Sequence, residues 1–165
     1  MTREIRLDAT YPHPPDRVWR AITTREALAS WLMPNDFEPR VGHRFTFRMK
    51  PVPGFDGIVH CEVIELEPPR RLSFRWKGGP LDTVVSFELA PVPEGTRLEL
   101  VHDGFTGPSA AVLRMMMKPG WKKMLRKRLP PVIAATAGLP APSAADCEGS
   151  VRNRFLGRIA IWLHR

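Results

Sequence analysis

Cysteine occurs only twice in the 165 residues, as Cys61 and Cys147, and tyrosine once. Two distant cysteines give neither a zinc-site spacing nor a framework of bridges, so both are read as reduced and structural. No stretch approaches the ~18 consecutive apolar residues of a membrane span. MTREIRLDAT is charged from its third residue and has no apolar core, which argues against a secretory signal and makes the cytoplasm the expected compartment. Equally missing are a G-x-S-x-G elbow, a phosphate-cradling glycine loop, a dinucleotide fingerprint and an HExxH or clustered Cys/His pattern. No metal, cofactor or catalytic residue is therefore assigned. Acidic residues are absent from Arg114 to Arg128, where MMMKPGWKKMLRKRL sets four methionines and a tryptophan among cations. The formal charge of +8 attracts anionic partners, but charge governs encounter rather than fold.

What is present has the balance of one folded domain: 43% hydrophobic and 25% charged residues, enough to bury a core. REIRLDATYP alternates Ile5, Leu7, Ala9 and Tyr11 against polar neighbours, the period of two of a half-buried strand. PPDRVWRAITTREALASWL changes period and predicts two short helices, with Pro14 and Pro15 starting the first and Thr23 or Thr24 capping the second. Trp19 and Trp31 are their anchors on the sheet. From Gly42 to Gly104 alternation returns as an antiparallel meander. HRFTFRMK turns Phe45, Phe47 and Met49 to one side, GIVHCEVIEL reads as apolar on both, and RLSFRWK offers Leu72, Phe74 and Trp76. TVVSFEL adds Val85, Phe87 and Leu89, and RLELVHDG adds Leu98, Leu100 and His102. Gly95, after Glu94, is expected to take a positive φ in the last hairpin, and Asp56 and Asp82 are read as turn residues.

A sheet with one large aromatic face must be covered by helices, and the long helical candidate lies after Gly104. At about 100° per residue, Leu113, Met117, Trp121, Met124, Leu125, Leu129 and Val132 form one stripe, with Lys122, Lys123, Arg126 and Lys127 opposite. Regular geometry would also put Arg128 near the centre of the apolar stripe. Pro119, Pro130 and Pro131 predict a broken helix, bent near Arg126 to Leu129.

Strand, two short helices, meander and long C-terminal helix follow in the order of an α+β helix-grip fold. Four stretches, PHPPDRVWRAITTREALASWL, GFDGIVHCEVIELEPPRRLSFRW, VVSFELAPVPEGTRLELVHDGF and KPGWKKMLRKRLPPVI, resemble in order the signatures of the activator of heat-shock protein 90 ATPase homologue-like branch of the START-like, or SRPBCC, superfamily. The resemblance spans about residues 3 to 138 and implies a curved antiparallel sheet wrapped around the last helix, with an apolar cavity between them. It sets the boundaries as a helix-grip domain over 1–138 and a linker with a basic amphipathic tail over 139–165. In the tail, Val151, Phe155, Ile159 and Trp162 share one helical face, and packing on the domain or on a second copy is favoured over contact with a membrane surface.

The functional expectation is non-enzymatic binding of a hydrophobic or amphipathic small molecule in that cavity. The candidate ligand-binding residues are Trp31, Phe45, Phe47, His60, Trp76, Phe87, His102, Met117 and Trp121. His102 alternates with Leu98 and Leu100 and is expected at the cavity mouth as an orienting polar group. The alternatives are a chaperone-related interaction domain whose basic helix face meets an acidic protein, and a cyclase- or aromatase-like enzyme using the same cavity. A homodimer is the expected assembly if the tail packs on a second copy. No specific nucleic-acid partner is expected, because no recognition motif accompanies the charge.

Overall fold

Alternation in EIRLDATY forms β1 (Glu4–Tyr11), with Ile5 and Tyr11 buried and Arg6, Asp8 and Thr10 in water. The computed structural model describes residues 3–136. Pro15 occupies the first turn of α1 (Pro15–Thr23), where a missing N–H costs nothing, and α2 (Arg25–Trp31) follows at once. Thr24 stands at the cap position of α2 without capping it: its hydroxyl donates back to Arg20 O at 3.0 Å, and that of Thr23 to Trp19 O at 2.7 Å. Trp19 and Trp31 are both buried, and the Trp31 indole N–H donates to Ala21 O at 2.8 Å.

Five further strands complete the sheet: β2 (Arg44–Arg48), β3 (Ile58–Glu67), β4 (Arg71–Gly78), β5 (Leu81–Val92) and β6 (Gly95–Asp103). The six strands run β1-β6-β5-β4-β3-β2, all neighbours antiparallel. Phe45, Phe47, Phe74, Trp76, Phe87, Leu98 and Leu100 share the covered face and are all buried. Two expectations are corrected here. Met49 lies beyond the end of β2 and is 47% exposed, and β3 buries one face rather than two. Val59, Cys61 and Val63 point inward, while His60 faces water and a register shift between Val63 and Glu65 leaves Ile64 47% exposed. Gly95 does take φ 140°, and a Cβ there would strike the carbonyl of Tyr11 on the neighbouring strand.

The helix over the sheet has three parts: α3 (Pro108–Lys123), a π-helical turn (Met124–Arg128) and α4 (Leu129–Ala135). Trp121, Leu125, Leu129 and Ile133 are buried, and Lys122, Lys123, Arg126 and Lys127 are exposed. Arg128 is the exception to the stripe. The π turn widens the spiral, so Leu125 and Leu129 both reach the core while Arg128 turns outward toward Ser30 O at 3.4 Å.

The prolines account for the hydrogen bonding at this turn. The Leu129 N–H donates to Met124 O, five residues back, rather than to Leu125 O. The next residue, Pro130, has no N–H to offer, so Leu125 O is left without a helical donor. Tyr11, the only tyrosine, supplies one from β1: its hydroxyl donates to Leu125 O at 2.6 Å in a buried setting. Burial raises the Tyr11 pKa, so the phenol stays protonated and able to donate. At the far end, Arg20 of α1 donates to Thr136 O at 3.2 Å, fastening the end of α4 to the first helix.

Candidate functional site

His102 is fully buried on β6, between Ile5 of β1 and Val85 of β5 in the ladder. Sequence reasoning expects it at a cavity mouth; the structure places it inside, with both ring nitrogens occupied. The Trp121 indole N–H donates to Nδ1 at 3.1 Å. An indole nitrogen only donates, so Nδ1 is the acceptor and the proton of the neutral ring sits on Nε2. Nε2 donates to Thr83 Oγ1 at 2.7 Å, and the Thr83 hydroxyl passes its own hydrogen to Trp76 O at 3.1 Å. Burial lowers the His102 pKa from 6.5 to about 3, so the imidazole is neutral near neutral pH. Both ring nitrogens are thus engaged, one by Trp121 and the other by Thr83. Thr83 was missed as a site residue because it follows Asp82 in a turn-like stretch. Its place two residues before Val85, the partner of His102, is the signal that could have found it.

Around this chain the aromatic rings meet edge to face or tilted. Trp76 lies 5.8 Å from Trp121, Phe87 6.3 Å from Trp121, and Trp31 6.1 Å from Phe87, measured between ring centroids. Phe47 joins through Trp76 at 5.7 Å, and Phe45 through Phe47 at 5.3 Å. The structure thus unites Trp31, Phe45, Phe47, Trp76, Phe87, His102 and Trp121, and Met117 packs half-buried against the same core. His60 is not among them. It stands on the outer face of the sheet, opposite Thr46 and Lys77, beside an open polar hollow lined by Asp36, Arg44 and Glu62.

Where the aromatic chain reaches the margin of the sheet it borders a cleft that sequence reasoning did not find. The ring of Phe105, just after β6, lies tilted against that of His102 with centroids 4.7 Å apart, and the Phe105 N–H donates to Arg3 O at 3.1 Å, holding the loop against the start of β1. Gly107, at φ 85°, then turns the chain into α3. Between these parts opens a cleft of about 840 Å³, walled by Phe105, Pro108, Ala111 and Met115, with Arg3 and Arg114 at its edge. Arg3 and Arg114 are far apart in sequence, and the pairing of β1 with β6 together with the turn at Gly107 brings them to one cleft. Among the described residues, no group of three or more His, Cys, Asp or Glu side chains could hold a metal ion. No helix among them is long and apolar enough to cross a membrane. Cys61 is a free, buried thiol whose pKa burial pushes up, and Cys147 lies outside the described residues, as does the amphipathic tail.

A six-stranded antiparallel sheet, two short helices after its first strand and a long C-terminal helix packed across an aromatic face define a helix-grip domain of the START-like class. Within that class the chain belongs to the family described as Activator of Hsp90 ATPase homolog 1-like protein, whose model matches residues 12–133. A protein from Mesorhizobium loti is similar in structure at a TM-score of 0.72 and 34% identity, over 81% of this chain and 98% of that one. One from Bacillus halodurans is similar at 0.68 and 30%, over 81% and 99%. The Aha1 dimer from Colwellia psychrerythraea shares the fold at 0.67 and 19%, over 82% and 98%. Among curated proteins none matches the chain.

Proposed function

We propose that this domain binds a hydrophobic or amphipathic small molecule between its sheet and its C-terminal helix, without chemistry of its own. The observation that carries the reading is the cleft at Phe105: it is apolar-walled, of a size suited to a small ligand, and its wall residue Phe105 contacts His102 of the aromatic chain behind it. On this reading Trp76, Phe87, Met117 and Trp121 form the inner wall, with Trp31, Phe45 and Phe47 behind them. Methionine at the wall suits ligands of varied shape, because its thioether stem is flexible. The engagement of both His102 nitrogens supports binding over acid–base catalysis.

Native mass spectrometry of freshly purified protein tests this against a denatured control, with a small mass lost on denaturation as the expected result. A neutral, environment-sensitive dye should also bind saturably, and Trp76→Ala or Met117→Lys should weaken it while the domain stays folded. Equal dye binding by wild type and both variants contradicts the reading. The exposed side chains of Val112, Met115 and Met116 favour a second reading beside it, a homodimer formed on α3, as the dimeric state of the Colwellia protein suggests. Sedimentation at several concentrations decides it.

A further inference from the structure

The cleft at the start of α3 carries a charge pattern that narrows its ligand. Its described lining holds two guanidiniums, Arg3 and Arg114, and no carboxylate. Neither arginine takes part in an ion pair among the described residues. Elsewhere Arg6, Arg70, Arg71, Arg75 and Arg97 are each paired with an acidic side chain. The positive end of the 16-residue α3 opens at the same place. Gly107 at its cap offers no side-chain acceptor, and its first turn contains no acidic residue. In sequence, no carboxylate side chain occurs between Asp103 and Asp146 that could supply one locally. Three sources of positive potential therefore meet an apolar wall of Phe105, Ala111 and Met115 whose described lining holds no carboxylate.

Resting on the binding reading above, we propose that the ligand is an anionic amphiphile. Its carboxylate or phosphate head is held by Arg3 and Arg114 at the rim, and its apolar body lies along Phe105 and Met115 toward Trp121. Guanidinium forks suit both heads, because their paired N–H groups match two oxygens of either anion. A cationic or neutral amphiphile gains the apolar wall but leaves the arginines unpaired.

The test is displacement of a bound neutral dye by four twelve-carbon amphiphiles, each kept below its micelle threshold: dodecanoate, dodecyl phosphate, dodecanol and dodecyltrimethylammonium. Wild type is compared with Arg3→Gln, Arg114→Gln and the double variant. The expected result is that at least one anion displaces the dye at a concentration at least about tenfold lower than dodecanol, the span of one charge-assisted hydrogen bond. The double variant should lose that advantage, with each anion compared with dodecanol on the same variant. Which anion is stronger separates a carboxylate from a phosphate head. Equal displacement by anions and dodecanol overturns the inference and leaves the binding reading intact. An anion advantage that persists in the double variant also overturns it, since the head is then held elsewhere. Displacement by none of the four removes the binding reading and the inference with it.

Discussion

The indole N–H of Trp121 donates to Nδ1 of His102 across 3.1 Å, so one polar bond inside an aromatic core fixes the C-terminal helix to the sheet. Both partners are buried, and the bond continues through Thr83 to the backbone of Trp76. Removing either end should leave a buried nitrogen unsatisfied. Trp121→Phe and Thr83→Val are each expected to cost about 1–3 kcal/mol in denaturant unfolding, most of it desolvation of the orphaned imidazole. If both variants unfold like wild type, the chain has no structural role.

The same histidine should make stability depend on pH. Folded, its pKa is depressed to about 3; unfolded, it titrates near 6.5. Above the unfolded value both states are neutral and the contribution is complete. As pH falls below it the unfolded chain takes a proton that the folded one refuses, and the loss continues down to the folded value. The slope attributable to this group is at most about 1.4 kcal/mol per pH unit. Urea titrations between pH 7.5 and 5 should show stability falling with acid in wild type and a flatter profile in His102→Gln. Parallel profiles would contradict the assignment.

Tyr11→Phe removes the donor to Leu125 O and is expected to destabilise by about 1–3 kcal/mol. Pro130→Ala restores an N–H at the π turn and gives the helix a donor of its own. The double variant should therefore lose less than the sum of the singles, by a coupling on the order of 1 kcal/mol in a double-mutant cycle. Strict additivity would show that the proline does not create the need for Tyr11.

Reversing the charge at Lys122, Lys123, Arg126 and Lys127 together should shift Tm by no more than a few degrees, because all four are exposed. Trp121→Ala or Leu125→Ala should cost about 2–5 kcal/mol through lost burial and a residual cavity. The rival use of this helix, as an arm for an acidic protein, nucleic acid or anionic bilayer, predicts the reverse. In that case the charge-reversed protein would lose a strong, salt-sensitive affinity and the alanine variants would melt like wild type.

The strand faces were legible because alternation is a property of the chain itself: Phe45, Phe47, Phe74, Trp76 and Phe87 all point where a period of two puts them. The stripe from Trp121 to Leu125 was legible for the same reason at a helical period. Arg128 was not, because a fixed angle per residue assumes a regular helix, and the π turn that relocates it leaves a carbonyl met by a tyrosine over a hundred positions away. Pro130 and Pro131 were the local warning. His102 was assigned the right face but the wrong depth, since alternation gives direction and not distance from solvent. The cleft was illegible altogether. Arg3, Phe105 and Arg114 meet only through strand pairing and the turn at Gly107, and no periodicity connects them.

The most direct measurement of the central claim is a two-dimensional NMR titration of the folded protein with dodecanoate below its micelle threshold, following backbone amides, methionine methyls and indole N–H groups. Saturable shifts are expected at Phe105, Ala111 and the Met115 methyl, extending to the Trp121 indole, with His60 and the outer face of the sheet unmoved. Saturable shifts confined to that outer face, or no saturable shift anywhere in a folded sample, would contradict the account.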